Sequence, residues 1–147
     1  MAATRLFEAM FQYLSGVAGV TASVGSGTAA RIYELYAEQG RSTLYPCIEI
    51  EDVSDEVTHQ FGAVPTSETR KLTIDCQAVR AQAAQALADA VYVAMIKQEA
   101  AIVTVTSWPV RSVHCMERGT PEYFVDIETD TRLFSARLEL QIRQDIS

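Results

Sequence analysis

The residues of this chain that could do chemistry are few, and the densest group of them is acidic. Glu51, Asp52, Asp55 and Glu56 place four carboxylates within six residues. Oxygen-rich loops hold calcium when acidic residues fall at alternate positions around a central glycine and end on a glutamate. Here two adjacent acidic pairs are separated by Val53-Ser54, and no glycine follows before Gly62. As a pair for acid–base hydrolysis they lack a pocket signal nearby. The run therefore reads as a solvated, charged arm, and no metal site is assigned.

The two histidines, His59 and His114, lie at no short ligand spacing from each other or from a cysteine. His114 and Cys115 are adjacent, so on a strand they point to opposite faces. His59 reads as an exposed loop residue and His114 as a strand-end residue. Cys47, Cys76 and Cys115 are odd in number, far apart and without a C-x-x-C. They read as small buried hydrophobes of a reducing compartment. Gly25, Gly27 and Ala30 match G-x-G-x-x-A, but a dinucleotide fingerprint needs a buried strand before it and a helix after it. The flanking patterns supply neither. Trp108-Pro109 fits either an interface anchor or a buried tryptophan at a strand kink. With no G-x-S-x-G and no phosphate-binding loop, no catalytic or cofactor-binding residue is assigned, and the chain does not read as an enzyme.

The elements around these residues follow from periodicity. Leu6, Met10, Tyr13, Leu14 and Val17 recur at helical spacing and predict a helix over 4–16, with Thr4 as its cap. The small-residue stretch 19–30 reads as a loop, and 31–36 as a short strand or turn. Strands are expected at 44–53 and 70–79. In the second, Leu72, Ile74, Cys76 and Ala78 alternate with Lys71, Thr73, Asp75 and Gln77, which marks one packed and one polar face. Between them, 54–68 reads as a long hairpin with an extended tip. Ala84, Leu87, Ala88, Val91, Tyr92 and Met95 form the apolar stripe of a helix over 80–99. Residues 101–108 read as a strand that breaks at Pro109 and resumes over 110–115. Then come a polar loop over 116–130 and a last strand over 131–143, with Ala136, Leu138, Leu140 and Ile142 on one face. The expected fold is α+β: a mostly antiparallel sheet of about four strands, two main helices on one face, and a long hairpin arm.

At 147 residues the chain is the size of one domain, 1–147, with 53–68 as its hairpin tip. No apolar run approaches the ~20 residues that span a bilayer, so no membrane partner is expected. The net charge of −7 repels phosphate backbones on average, which argues against tight nucleic-acid binding.

In sequence order the chain resembles the tail-terminator, or tail-completion, proteins of long-tailed bacteriophages. The likeness is carried by Arg31-Ile32-Tyr33, Ala37, Gln39-Gly40, Pro46, Val53-Ser54 and His59. It continues through the strand-to-helix unit Ile74-Asp75-Cys76 with Ala83, Ala86, Leu87, Ala88 and Val91, and through the closing strand 131–143. Residues 95–113 align poorly, and the stretch 115–134 lacks the family's compact loop pattern. The resemblance implies a virion protein of the tail or neck, assembled in the bacterial cytoplasm. It would form a ring, usually hexameric, on the head-facing end of the tail tube. Its partners would be its own copies, the tube protein and the head's connector or stopper, with genomic DNA passing through the lumen unbound. Asp52, Asp55, Glu56, His59, Phe61 and Glu68 on the arm are then the expected interface. Two alternatives stay open: another neck protein, such as a head-completion or tube subunit, and a small nucleotide- or metal-binding enzyme domain.

Overall fold

The computed structural model describes residues 5–34, 45–58, 67–126 and 131–145. The helices among them are α1 (Leu6–Leu14), α2 (Ala18–Val24), α3 (Ala81–Met95) and α4 (Glu99–Thr106). The strands are β1 (Ile32–Glu34), β2 (Cys47–Thr58), β3 (Ser67–Ala78), β4 (Val110–Arg118), β5 (Glu122–Asp126) and β6 (Thr131–Asp145). They form one sheet in the order β1-β2-β3-β6-β4, with β5 also paired to β6. Among the described residues only β1–β2 is parallel. The class is α+β, as expected, with six strands rather than about four and four helices rather than two.

The centre of the sheet is the pair that alternates best in sequence. β3 and β6 run antiparallel from Ser67↔Asp145 to Ala78↔Phe134 without a break in register. Leu72, Ile74, Cys76 and Ala78 of β3 and Ala136, Leu138, Leu140 and Ile142 of β6 are all buried on one side. Ile48 and Ile50 extend that surface on β2, and Val110 and Val113 extend it on β4. The helices cover it with Leu6, Met10 and Leu14, with Val20 and Val24, with Leu87, Val91 and Met95, and with Ile102. Fully burying a side chain of this size stabilises by roughly 1.5–3 kcal/mol. Tyr13 reaches across the layer, its hydroxyl donating to the Ala94 carbonyl at 2.5 Å.

Three expectations are corrected. The stretch 19–30 contains a helix, α2, because Val20 and Val24 fall on one face and pack against α3 and β2; tertiary burial overrides the weak propensity of its glycine, serine and threonine. Residues 101–106, within the stretch 101–108 that was read as a strand, are helical. Ile102 and Thr106 are buried one turn apart, and the Thr104 and Thr106 hydroxyls donate to the carbonyls of Ala100 and Ile102 at 2.8 and 2.7 Å. These bonds occupy hydroxyls on β-branched residues whose composition suggested a strand. The long helix expected over 80–99 accordingly ends at Met95, with Lys97 at φ 61°, and α4 starts at Glu99. The third correction is the loop expected over 116–130. β4 runs on to Arg118, the Gly119 N–H donates to the Arg137 carbonyl at 2.8 Å, and β5 resumes along the same side of β6. Polar composition hid an edge strand, which needs only one packed face.

The β2–β3 connection leaves the sheet at the end where β6 finishes, and the β5–β6 connection leaves it at the end where β6 begins. β6 residues 131–133 have no partner on β3, so the β5–β6 pair runs past the end of β3.

Leu87 is 1% exposed beneath the sheet. Leu87→Asp buries an unpaired charge and should cost about 4 kcal/mol or more, seen as loss of a cooperative melt. Glu56→Lys should leave the melt unchanged. Burial first, then the Asp75 carboxylate and Cys47, push the Cys76 thiol well above its ordinary value. The folded state therefore keeps this thiol neutral while the unfolded chain ionises it near pH ~8.5. Its contribution to stability is full below that pH and falls as pH rises above it, and Cys76→Ala should flatten the alkaline limb of a urea-midpoint profile.

Candidate functional site

The face of the sheet opposite the helices is where charge gathers. By register and alternation it carries Glu49 and Glu51 of β2, Asp75 of β3, Glu117 and Glu122 of the β4–β5 edge and Glu139 of β6. Lys71, Arg137 and Arg143 are its cations. Glu117 stands directly opposite Glu139, and Glu49 directly opposite Asp75. Like charges on facing positions of adjacent strands destabilise a sheet. Two such rungs on one face are therefore a feature that folding alone does not call for.

Asp75 is 8% exposed although it lies on the polar side. The Arg137 Nε donates to its Oδ1 at 2.9 Å from the facing position on β6. That bond and the field of Asp75, with smaller help from Glu139 and Glu122, hold the guanidinium above its usual range despite partial burial. The pair sits in a groove of about 390 Å³ whose lining includes Gln77, Glu117, Tyr123, Phe124 and Glu139. The groove is acidic on balance, and among the described residues no three His, Cys, Asp or Glu converge as metal ligands.

At the end of the sheet where β2 and β3 join, the chemistry changes. Asp52 continues the alternation of Ile48 and Ile50 and so lies on the helix side opposite Leu72, and a β-bulge between Asp52 and Ser54 makes Val53 the extra residue. There Asp52 pairs with Arg70, and nearby Arg5 pairs with Glu34. Trp108 lies against the same corner, half-buried, its Nε1 donating to Gln144 Oε1 at 2.6 Å. It is neither the fully buried tryptophan nor the free anchor that the sequence allowed.

Of the expected interface residues, Asp52 is thus held at the base of the arm. Asp55 faces Arg70, Glu56 faces Thr69, and Glu68 lies between Val57 and Gln144 in register. His59 and Phe61 lie outside the described residues. Residues 54–58 and 67–68, read from sequence as arm, are strand, and 67–68 also pair with β6. His114 is exposed on β4. Cys47 and Cys76 are buried, but Cys115 is only half-buried, because β4 is an edge strand. Gly25 and Gly27 have positive φ of 86° and 60° and follow helix α2 rather than a strand. The acidic rungs escaped the sequence reading, since they become visible only once the strands are registered.

No family model matches the chain, and no curated protein does. A chain in a solved structure described as the virion of a native gene transfer agent (GTA) particle does match in fold. It superposes with a TM-score of 0.64 at 15% identity, over 96% of this chain and 95% of that one. The two share a fold along nearly their whole lengths.

If the facing carboxylates repel, Glu117→Gln should raise stability by a few tenths of a kcal/mol. The gain should shrink as salt is raised from low to physiological ionic strength, as measured by urea midpoints.

Proposed function

We propose that this protein is a structural virion protein of the tail-terminator type. It forms a ring on the head-proximal end of a phage-like tail tube, ends tube growth and joins the tail to the head connector. The observation that carries the reading is the full-length match in fold to a chain of a gene transfer agent virion. The residues that carry the resemblance, from Arg31 to Arg143, fall on the strands β1 to β6 and on α3 and α4.

The geometry suits the task in three ways. A terminator must bind a tube on one side and a different body on the other. Here the β2–β3 and β5–β6 connections leave opposite ends of one sheet. A ring requires one patch to meet a different patch on the next copy, with rotation that closes. The sheet has two unlike edges for this. A channel for DNA must not hold the polyanion, and the sheet face bearing Glu49, Glu51, Glu117, Glu122 and Glu139 repels phosphate when turned to the lumen. In this reading the helices form the outer wall, six copies close the ring, and 1–147 acts as a single domain with no catalytic step.

Particles assembled without this protein should show overlong tubes and tailless heads by electron microscopy. Shortening 59–66 to an Asn-Gly turn leaves β2 and β3 in place and removes only the tip. If the tip engages a neighbouring body, this variant should melt like the wild type yet give the same defective particles. Normal virions from the deletion strain would remove the terminator reading altogether.

A further inference from the structure

The groove on the charged face of the sheet holds more than its acids. It runs along β6, where Ser135, Arg137 and Glu139 share one face, and it lies between β3 and the notch at 119–121 that separates β4 from β5. At one end Gln77 stands opposite Ser135, with Glu122 on the other side of Ser135. At the other end Glu117 stands opposite Glu139. Asp75 and Arg137 form the rung between the two ends.

The two ends call for different groups. Gln77 lines the groove and is 9% exposed. Its Oε1 accepts from the Cys47 thiol at 3.6 Å, and among the described residues its amide N–H groups have no partner. A donor so nearly buried is normally paired, and the group that pairs it must be an acceptor. The Glu117–Glu139 rung has the opposite need. Arg137 is the single cation lining the groove, shared among Asp75, Glu117, Glu122 and Glu139. Arg118 is turned away to Asp89.

We propose that this groove binds an extended basic segment of another protein. A backbone carbonyl of the segment accepts from the Gln77 amide, and an arginine or lysine side chain further along lies between Glu117 and Glu139. Ser135 and Glu139 are four residues apart on one strand, a span of about 13 Å. A free ammonium or guanidinium ion cannot meet both ends, whereas about four residues of extended peptide can. Side chains directly opposed on adjacent strands have β-carbons about 5 Å apart, so the two carboxylates can flank one cationic group, and a guanidinium offers them its planar fork. A metal ion does not fit, because among the described residues no three His, Cys, Asp or Glu converge. Copies of this chain each carry a net charge of −7, so the segment belongs to a different, basic chain. The site is complete in one subunit, and the proposal holds whether or not the copies close a ring.

The test uses the full chain and a dye-labelled, acetylated pentapeptide with a central arginine, alongside its glutamine counterpart, with binding read by fluorescence anisotropy. The arginine peptide should bind about tenfold tighter or more, which corresponds to roughly 1.4 kcal/mol. Glu117→Gln with Glu139→Gln relieves a repulsive rung, so the protein should fold and lose that preference. Glu8→Gln with Glu34→Gln makes an equal change of charge beside Arg5, away from the groove, and should keep it. Gln77→Met keeps charge and length while removing the donors, and should weaken both peptides about fivefold. An arginine preference that survives the exchange at 117 and 139, or that falls equally with the exchange at 8 and 34, overturns the proposal. So does unchanged affinity in Gln77→Met. None of these outcomes touches the ring reading, which stands or falls on particle morphology.

Discussion

The structure depends on one constraint, the unbroken antiparallel register between β3 and β6. Side chains on a strand alternate with period two, so a slip of one residue would carry every side chain to the other face. Here the penalty is severe on both sides. A slip would turn Leu72, Ile74, Leu138 and Leu140 to solvent and drive Asp75, Arg137 and Glu139 beneath the helices. Once this pair is fixed, β2 is placed by the connection from β3, β4 and β5 share the other side of β6, and the helices have a single apolar surface to cover.

That constraint also explains the buried carboxylate. Asp75 faces Arg137 and lies one strand from Glu49. The Arg137 side chain is 58% exposed, so the ion pair is partly solvated and its net worth is modest. It compensates one of the two acidic rungs. The other, Glu117 opposite Glu139, lies two strand positions away near Arg118, whose guanidinium is turned to the helix side, bonded to Asp89 and 3.9 Å over the Tyr92 ring. Arg118 is therefore committed elsewhere, and Arg137, two positions along β6 from Glu139 on the same face, is shared between the two rungs.

What could be read from the sequence follows the strength of the periodic signal. β3, β6 and α3 alternate or repeat over many residues, and each was found within a few residues of its limits. α2 and α4 are short, and their residues have strand or loop preferences. Their helical state is decided by Val20, Val24 and Ile102 finding the core, information that is not local. β5 was missed because a short edge strand preceded by Gly119 and Pro121 looks like a loop. The acidic run that stands out in sequence proved to be mostly strand backbone. The acidic face became legible only through register, since Glu49, Asp75, Glu117 and Glu139 come from four separate segments.

The position of the like-charged rungs bears on what the sheet is for. If the charged face existed only for solubility, alternating signs would serve as well and would stabilise the sheet through cross-strand pairs. A surface of one sign is useful where a body of the same sign must stay close without adhering, or where a body of opposite sign must be drawn in. The chain as a whole is acidic, and so is the outer edge of β2. The polar face with its facing carboxylates and the β2 segment after Ile50 thus share one prevailing sign, although they come from different strands.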